Sequence, residues 1–191
     1  MMVSEITARL KEGNSRFVSG NSYKTVQDIN KRESLIDGQN PFAVILGCAD
    51  SRIAPEIIFD TGLGELFVVR VAGNVANTSS VASIEYAIAQ LEVKVIVVLG
   101  HQNCGAVTAA VQGGGNGSNI RHLLSHIAPS VKASSKKATI DDVAIENVLL
   151  TSKELIENSE IIKNAVNSGQ LKIVSAFYWM NSGKVDFLEG M

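Results

Sequence analysis

The chain has 191 residues, 46% of them hydrophobic, enough to bury the core of one compact domain. Seventeen Lys and Arg stand against nineteen Asp and Glu, a formal charge of −2, which leaves no basic field to hold nucleic acid or an anionic membrane. The longest apolar runs are too short to span a bilayer, and the opening MMVSEITARLKEG is polar and amphipathic with no apolar signal-peptide run, so a cytoplasmic protein is expected.

Residues 4–19 place Ile6, Leu10 and Phe17 near helical spacing behind Ser4 as a cap, which predicts an amphipathic helix. Residues 25–37 predict a second. Three β-branched runs follow: AVILG (43–47), LFVVR (66–70) and KVIVVLG (94–100). Their apolar residues are consecutive, the pattern of strands buried on both faces of a parallel sheet. Between the last two runs, SVASIEYAIAQL (80–91) puts Ile84, Ala87, Ile88 and Leu91 on one helical stripe. The resulting β-α-β order predicts the α/β class. GAVTAAVQ after Cys104 reads as a helix start, GGGNGS (113–118) as a loop without phosphate-binding spacing, and 119–132 and 141–167 as helices. KIVSAFYW (172–179), the turn NSGK and VDFL (185–188) predict a last strand and its hairpin partner.

The only cysteines are Cys48 and Cys104. Cys48 ends the first strand, and His101-Gln102-Asn103-Cys104 follows the third. Strand carboxyl ends in such a sheet open onto one crevice. Two thiolates and an imidazole meeting there are ligands that zinc prefers, with an open fourth position as in a catalytic site; buried inert thiols are the alternative. Asp50 and Arg52 lie within four residues of Cys48. Asp50 could be a fourth ligand or accept a hydrogen bond from a water on the metal, and Arg52 could grip it with two parallel hydrogen bonds. An ordinary surface ion pair is the competing account. His122 and His126 share a helical face at i,i+4, which allows a second metal site, but no carboxylate or cysteine stands near in sequence; a partly exposed pair is expected.

Cys-x-Asp-Ser-Arg (48–52) followed by Gly-His-x-x-Cys-Gly (100–105) resembles the signature of the β-class carbonic anhydrases. Gln39-Asn-Pro, GELFVVRVAGN (64–74), SIEYAIAQL (83–91) and VIVVLGH (95–101) are similar to family segments in order and spacing. The resemblance implies a mainly parallel sheet with flanking helices, in a single domain: a helical arm over 1–37 and a zinc-binding core over 38–191. It implies one Zn2+ per chain on Cys48, His101 and Cys104, with Asp50 and Arg52 as the catalytic pair and Asp50 a fourth ligand in a closed state. It implies reversible hydration of carbon dioxide to bicarbonate. Gln39, Phe67, Ala72, Tyr86 and Gly105 match substrate-binding positions, some serving a neighbouring subunit, so a homodimer or dimer of dimers is implied, its arms wrapping the partner. Some bacterial members carry an inhibitory bicarbonate site resembling a Trp-Arg-Tyr trio. Arg70 and Tyr178 match two of the three, but Ile45 stands for the tryptophan and offers no N–H. Arg70 is therefore expected in an ion pair or in backbone hydrogen bonds.

A carbon disulfide or carbonyl sulfide hydrolase would use the same ligands. A zinc protein without catalysis would have no need of Asp50 and Arg52. A dinucleotide enzyme is disfavoured because GCADSR lacks Gly-x-Gly-x-x-Gly.

Overall fold

The structure is a computed structural model that describes residues 1–23 and 28–188. Helix α1 spans Val3–Val18. It begins ahead of the expected Ser4 cap, because the Glu5 carboxylate reaches back to the Met2 N–H at 2.7 Å and makes Met2 the boundary. Helix α2 covers only Ile29–Glu33, where Asp28 accepts the Lys31 N–H at 2.9 Å. Residues 34–37 are turn rather than helix, and the predicted start at 25–27 lies outside the described residues.

Strand β1 (Ala43–Gly47) is followed by the short helix α3 (Pro55–Ile58), which proline opens at its first turn. Strand β2 (Leu66–Arg70) leads through a 3-10 turn at Ala72–Asn74 into α4 (Thr78–Leu91), capped by the Asn77 side chain at 3.0 Å from Ser80 N. After β3 (Val95–His101) come α5 (Gly105–Val111) and α6 (Ser118–Ala133). The stretch predicted as one helix over 141–167 is two, α7 (Ile140–Glu157) and α8 (Glu160–Asn167). Ser159 breaks it by accepting the Ile162 N–H at 3.1 Å, the cap of a new helix. Strands β4 (Lys172–Tyr178) and β5 (Val185–Leu188) end the described chain.

The five strands form one sheet in the order β2-β1-β3-β4-β5. All pairings are parallel except β4 with β5, so the protein is α/β as expected. Every residue of β1 and β3 is buried. Alternation along the strands sorts the side chains. Ala43, Ile45, Val95, Val97 and Leu99 join a cluster with Ile6, Leu10, Ile58 and Phe59. Val44, Leu46, Ile96 and Val98 join Val81, Ile84, Val148, Leu155 and Ile162 on the other face. A third cluster forms beyond the strand ends, where Cys48 and Cys104 lie among Val75, Val107, Leu124, Ile127 and Phe177.

Helix α1 has a core of its own chain to cover: Ile6 and Leu10 are buried against the sheet, and Asn14 bonds to the Ile58 and Gly183 carbonyls and the Val185 N–H. An amphipathic stripe shows that a helix covers something, but not whose surface it covers. Helix α2 buries no residue.

Helix α7 can approach β3 only because position 100 has no side chain. A Cβ there would stand 2.4 Å from Val148 Cγ2. Gly100→Ala is expected to lower the unfolding free energy by about 1–3 kcal/mol. Combined with Val148→Ala, the loss should be smaller than the sum of the two single losses. Urea unfolding of the four chains checks this; a Gly100→Ala midpoint equal to wild type would show that α7 is not pressed on the strand.

Candidate metal centre

Strands β1 and β3 are parallel neighbours, so their carboxyl ends deliver Cys48 and His101 to the same side of the sheet. The next two residues turn the chain back. Gln102 N–H donates to the Tyr178 carbonyl at 2.9 Å, and Asn181 N–H donates to Gln102 Oε1 at 3.3 Å. Asn103 takes a left-handed conformation (φ 54), its N–H bonded to Asp141 Oδ1 at 2.8 Å. Cys104 then caps α5, its carbonyl accepting from Thr108 N–H and Oγ1.

The result is one compact group. The ligand atoms of Cys48, His101 and Cys104 all lie within 4.8 Å of one another, and all three residues are buried. Among the described residues no other set of three metal-capable groups occurs. His101 Nδ1 sits 2.9 Å from the Gln102 carbonyl, which can only accept, so Nδ1 carries the proton. Nε2 is left with a bare lone pair, buried and without a partner. A buried nitrogen in that condition is costly unless something fills it. Two soft sulfurs and one imidazole suit zinc, and the donor set fits that ion.

The sulfurs differ. Cys48 Sγ accepts N–H bonds from Gly73 at 3.3 Å and Asp50 at 3.4 Å. The Cys104 thiol beside it, the main cause, and these N–H bonds hold its pKa below the usual thiol range against the opposing effect of burial. Cys104 is pushed up by its bond to Cys48 and by burial. A divalent cation bound here would need both sulfurs as thiolates, so its binding would release the Cys104 proton.

Asp50 stands apart from the ligand group. Its Oδ1 accepts from Arg52 N and Nε, both at 2.9 Å, and its Oδ2 accepts from Arg52 Nη2 at 2.7 Å. This grip holds the Asp50 carboxyl well below the usual carboxylate range. Arg70 donates from Nε to the Cys48 carbonyl at 2.9 Å and from Nη2 to the Asp50 carbonyl at 2.6 Å. Those are the backbone hydrogen bonds expected of it. A second arginine thus pins the main chain on which Cys48 and Asp50 sit.

The five substrate-pocket candidates divide. Ala72 opens the turn containing Gly73, and Gly105 follows Cys104, with open space where a Cβ would point. Gln39 is exposed ahead of β1, and the five residues of that strand carry it about 16 Å from Cys48 at ~3.3 Å each. Phe67 pairs with Val44 near the same far end. Its ring lies 6.4 Å from that of Tyr86, which is 51% exposed. One chain does not bring these three to its own sulfurs. The rings of His122 and His126 meet edge to face at 5.2 Å, with His126 Nε2 buried and unpartnered; burial, with His122 adding, lowers the His126 pKa. Among the described residues no third ligand joins them.

Motif spacing did not point to Gly73, Asn147 or Asp141. One signal was available for Asn147: an amide in the apolar stripe of a helix whose neighbours Val143, Ala144 and Val148 are buried.

Comparison with known proteins agrees with this geometry. The family model described as carbonic anhydrase matches residues 43–185. Carbonic anhydrase 2 of Mycobacterium tuberculosis is 43% identical over 181 residues, covering 92% of this chain and 87% of that protein. The carbonic anhydrase of Mycolicibacterium smegmatis is 39% identical over 183 residues, covering 93% and 89%. Among solved structures, a tetrameric β-carbonic anhydrase from the ascomycete Sordaria macrospora superposes with a TM-score of 0.77 at 26% identity, covering 98% of both chains. The β-carbonic anhydrase CafA of Aspergillus fumigatus gives 0.76 at 26%, covering 97% and 90%. With its sheet, its Cys-His-Cys cluster and these relatives in agreement, the chain belongs to the β-carbonic anhydrase family of enzymes.

Proposed function

We propose that the protein hydrates carbon dioxide reversibly to bicarbonate and a proton, using one zinc ion per chain held by Cys48, His101 and Cys104. The observation that carries this reading is the bare, buried Nε2 of His101 grouped with two sulfurs, with Asp50, two residues after Cys48, held in the grip of Arg52. Bound there, zinc would supply hydroxide at neutral pH by lowering the pKa of water toward ~7.

The chain's own residues do the rest. Asp50 offers a carboxylate oxygen to the O–H of the attacking water and so aims its lone pair at the carbon. Arg52 keeps that carboxylate ionised and fixed in direction, while Arg70 holds the backbone beneath it. Gly105 leaves an uncrowded approach, and Ala72, one residue before the N–H that meets Cys48 Sγ, adds only a methyl group to it. Gln39 would donate its amide N–H to a substrate oxygen, and Phe67 and Tyr86 would wall off water. Their distance from the cluster of their own chain supports service to a second copy, in a homodimer or dimer of dimers. The uncovered apolar side chains Ile29, Ile36, Ile57 and Leu63 support the same assembly, as does α2, which buries nothing and keeps the role of an arm. Residues 1–191 would act as one domain. Both thiols are free, which supports a reducing compartment such as the cytoplasm.

Asp50 also sets a sign for pH. A carboxyl with a lowered pKa is charged above its ordinary value and loses that charge only on descending through the lower folded one. Between pH 5 and 9 the rate should therefore follow a single ionisation near neutrality, with no carboxylate limb.

Cys104→Ser should lose zinc and CO2 hydration together, measured by metal analysis and stopped-flow assay. A wild type free of zinc that hydrated CO2 at full rate would overturn the reading, as would a zinc-loaded wild type that turned over carbon disulfide and left CO2 untouched. Arg52→Ala should keep about one zinc per chain and lose roughly 10–100-fold in turnover, as orienting partners of metal sites do. Unchanged turnover across neutral pH would reduce Arg52 to a surface charge.

A further inference from the structure

A buried chain of hydrogen bonds runs from α6 to the sulfur of Cys48. Ser130 Oγ donates to Asn147 Oδ1 at 3.2 Å, Asn147 Nδ2 donates to the Gly73 carbonyl at 2.8 Å, and Gly73 N–H donates to Cys48 Sγ at 3.3 Å. Ser130 and Asn147 are each 1% exposed. The turn between them and the sulfur is clamped from two directions. Asn74 N–H bonds back to the Val71 carbonyl at 2.8 Å, and the oxygen of the same peptide unit receives Asn147. Gly73 lies in the left-handed region (φ 73, ψ 15), and any Cβ there would stand 2.7 Å from Ile127 Cδ1 on α6. The turn is thus held by α6 and α7, two helices that supply none of the cysteine or histidine ligands.

Packing alone does not account for Asn147. It lies on a helix face shared with Val143, Ala144 and Val148, where an alkyl side chain would fill space without the cost of burying an amide. Both ends of its amide are used, one to receive Ser130 and one to hold the turn. An N–H aimed at a thiolate draws charge from the sulfur and fixes its direction.

We propose that Asn147, oriented by Ser130, is a positioning residue for the metal centre: it locks the Gly73 turn so that its N–H stays on Cys48 Sγ, and so sets how strongly that sulfur donates to a divalent cation and how slowly the cation leaves. This rests on the reading of Cys48, His101 and Cys104 as the zinc ligands.

The test uses the purified full chain loaded with Co2+, whose thiolate charge-transfer band reports on the sulfur and whose release to a chelator can be timed. Asn147→Ala should move the band to longer wavelength, since a sulfur without its N–H partner gives up charge more readily. The same variant should nonetheless release cobalt about 10-fold faster, because a sulfur whose direction is no longer fixed leaves the metal more often than its extra charge holds it. Ser130→Ala should move both readouts in the same direction by less, and Ser130→Thr, which keeps the hydroxyl, should restore wild-type values. If Asn147→Ala does not fold, the Ser130 pair decides alone. A normal cobalt band in wild type that stays unmoved in the folded variants, with unchanged release, overturns the inference and leaves the metal assignment intact. A wild type that binds cobalt with no thiolate band overturns the metal assignment, and this inference with it.

Discussion

A site with two thiols and an imidazole, all withdrawn from water, tolerates little charge of its own. Everything around the cluster answers that constraint. His101 Nδ1–H donates to the Gln102 carbonyl, so that the other ring nitrogen is the one without hydrogen. Cys48 is given two backbone N–H groups, and its loop is tied down by Arg70. The parallel pairing of β1 with β3 is what makes the meeting possible, since an antiparallel arrangement would send the two strand ends to opposite sides of the sheet.

Two arginines near one aspartate have divided the work. Arg52 spends its guanidinium on the side chain of Asp50 and remains largely in solvent, where a lone ion pair is weak. What gives this one weight is the fork geometry and a third bond from the Arg52 backbone. Arg70 spends its guanidinium on main-chain carbonyls. One arginine orients a group, and the other builds the floor under it.

Much of this was legible in the residues. The unbroken apolar runs at 43–47 and 66–70 announced parallel strands and became them, although the second, at the edge of the sheet, is only half-buried in one chain, and the ends of β1 and β3 placed Cys48 and His101 together. What stayed hidden was whatever depends on a partner distant in sequence. The stripe of Ile6 and Leu10 foretold a helix but not that its own sheet would receive it. The run 141–167 looked continuous because the propensities on either side of Ser159 are both helical; a single cap hydroxyl decided the break. Asn147 was the hardest to see, because its value lies in the carbonyl of Gly73, on the far side of α4, β3 and two more helices in the chain. Gln39, Phe67 and Tyr86 are a different case, since the structure of one chain holds only one side of their surroundings.

The tie between Gln102 and Tyr178 has a consequence for how the protein comes into being. The chain leaves the ribosome with Cys48, His101 and Cys104 in its first two-thirds, but the acceptor that turns the ligand loop belongs to β4, near the end. Phe177, which walls the sulfurs in, arrives with it. Until β4 has been made, neither cysteine has that wall or that loop around it, which leaves both thiols more open to oxidants and to soft metals. A pocket that has not yet closed makes no choice between ions; in the interval before β4 docks, that choice would fall to the cell's supply of metals and reductants.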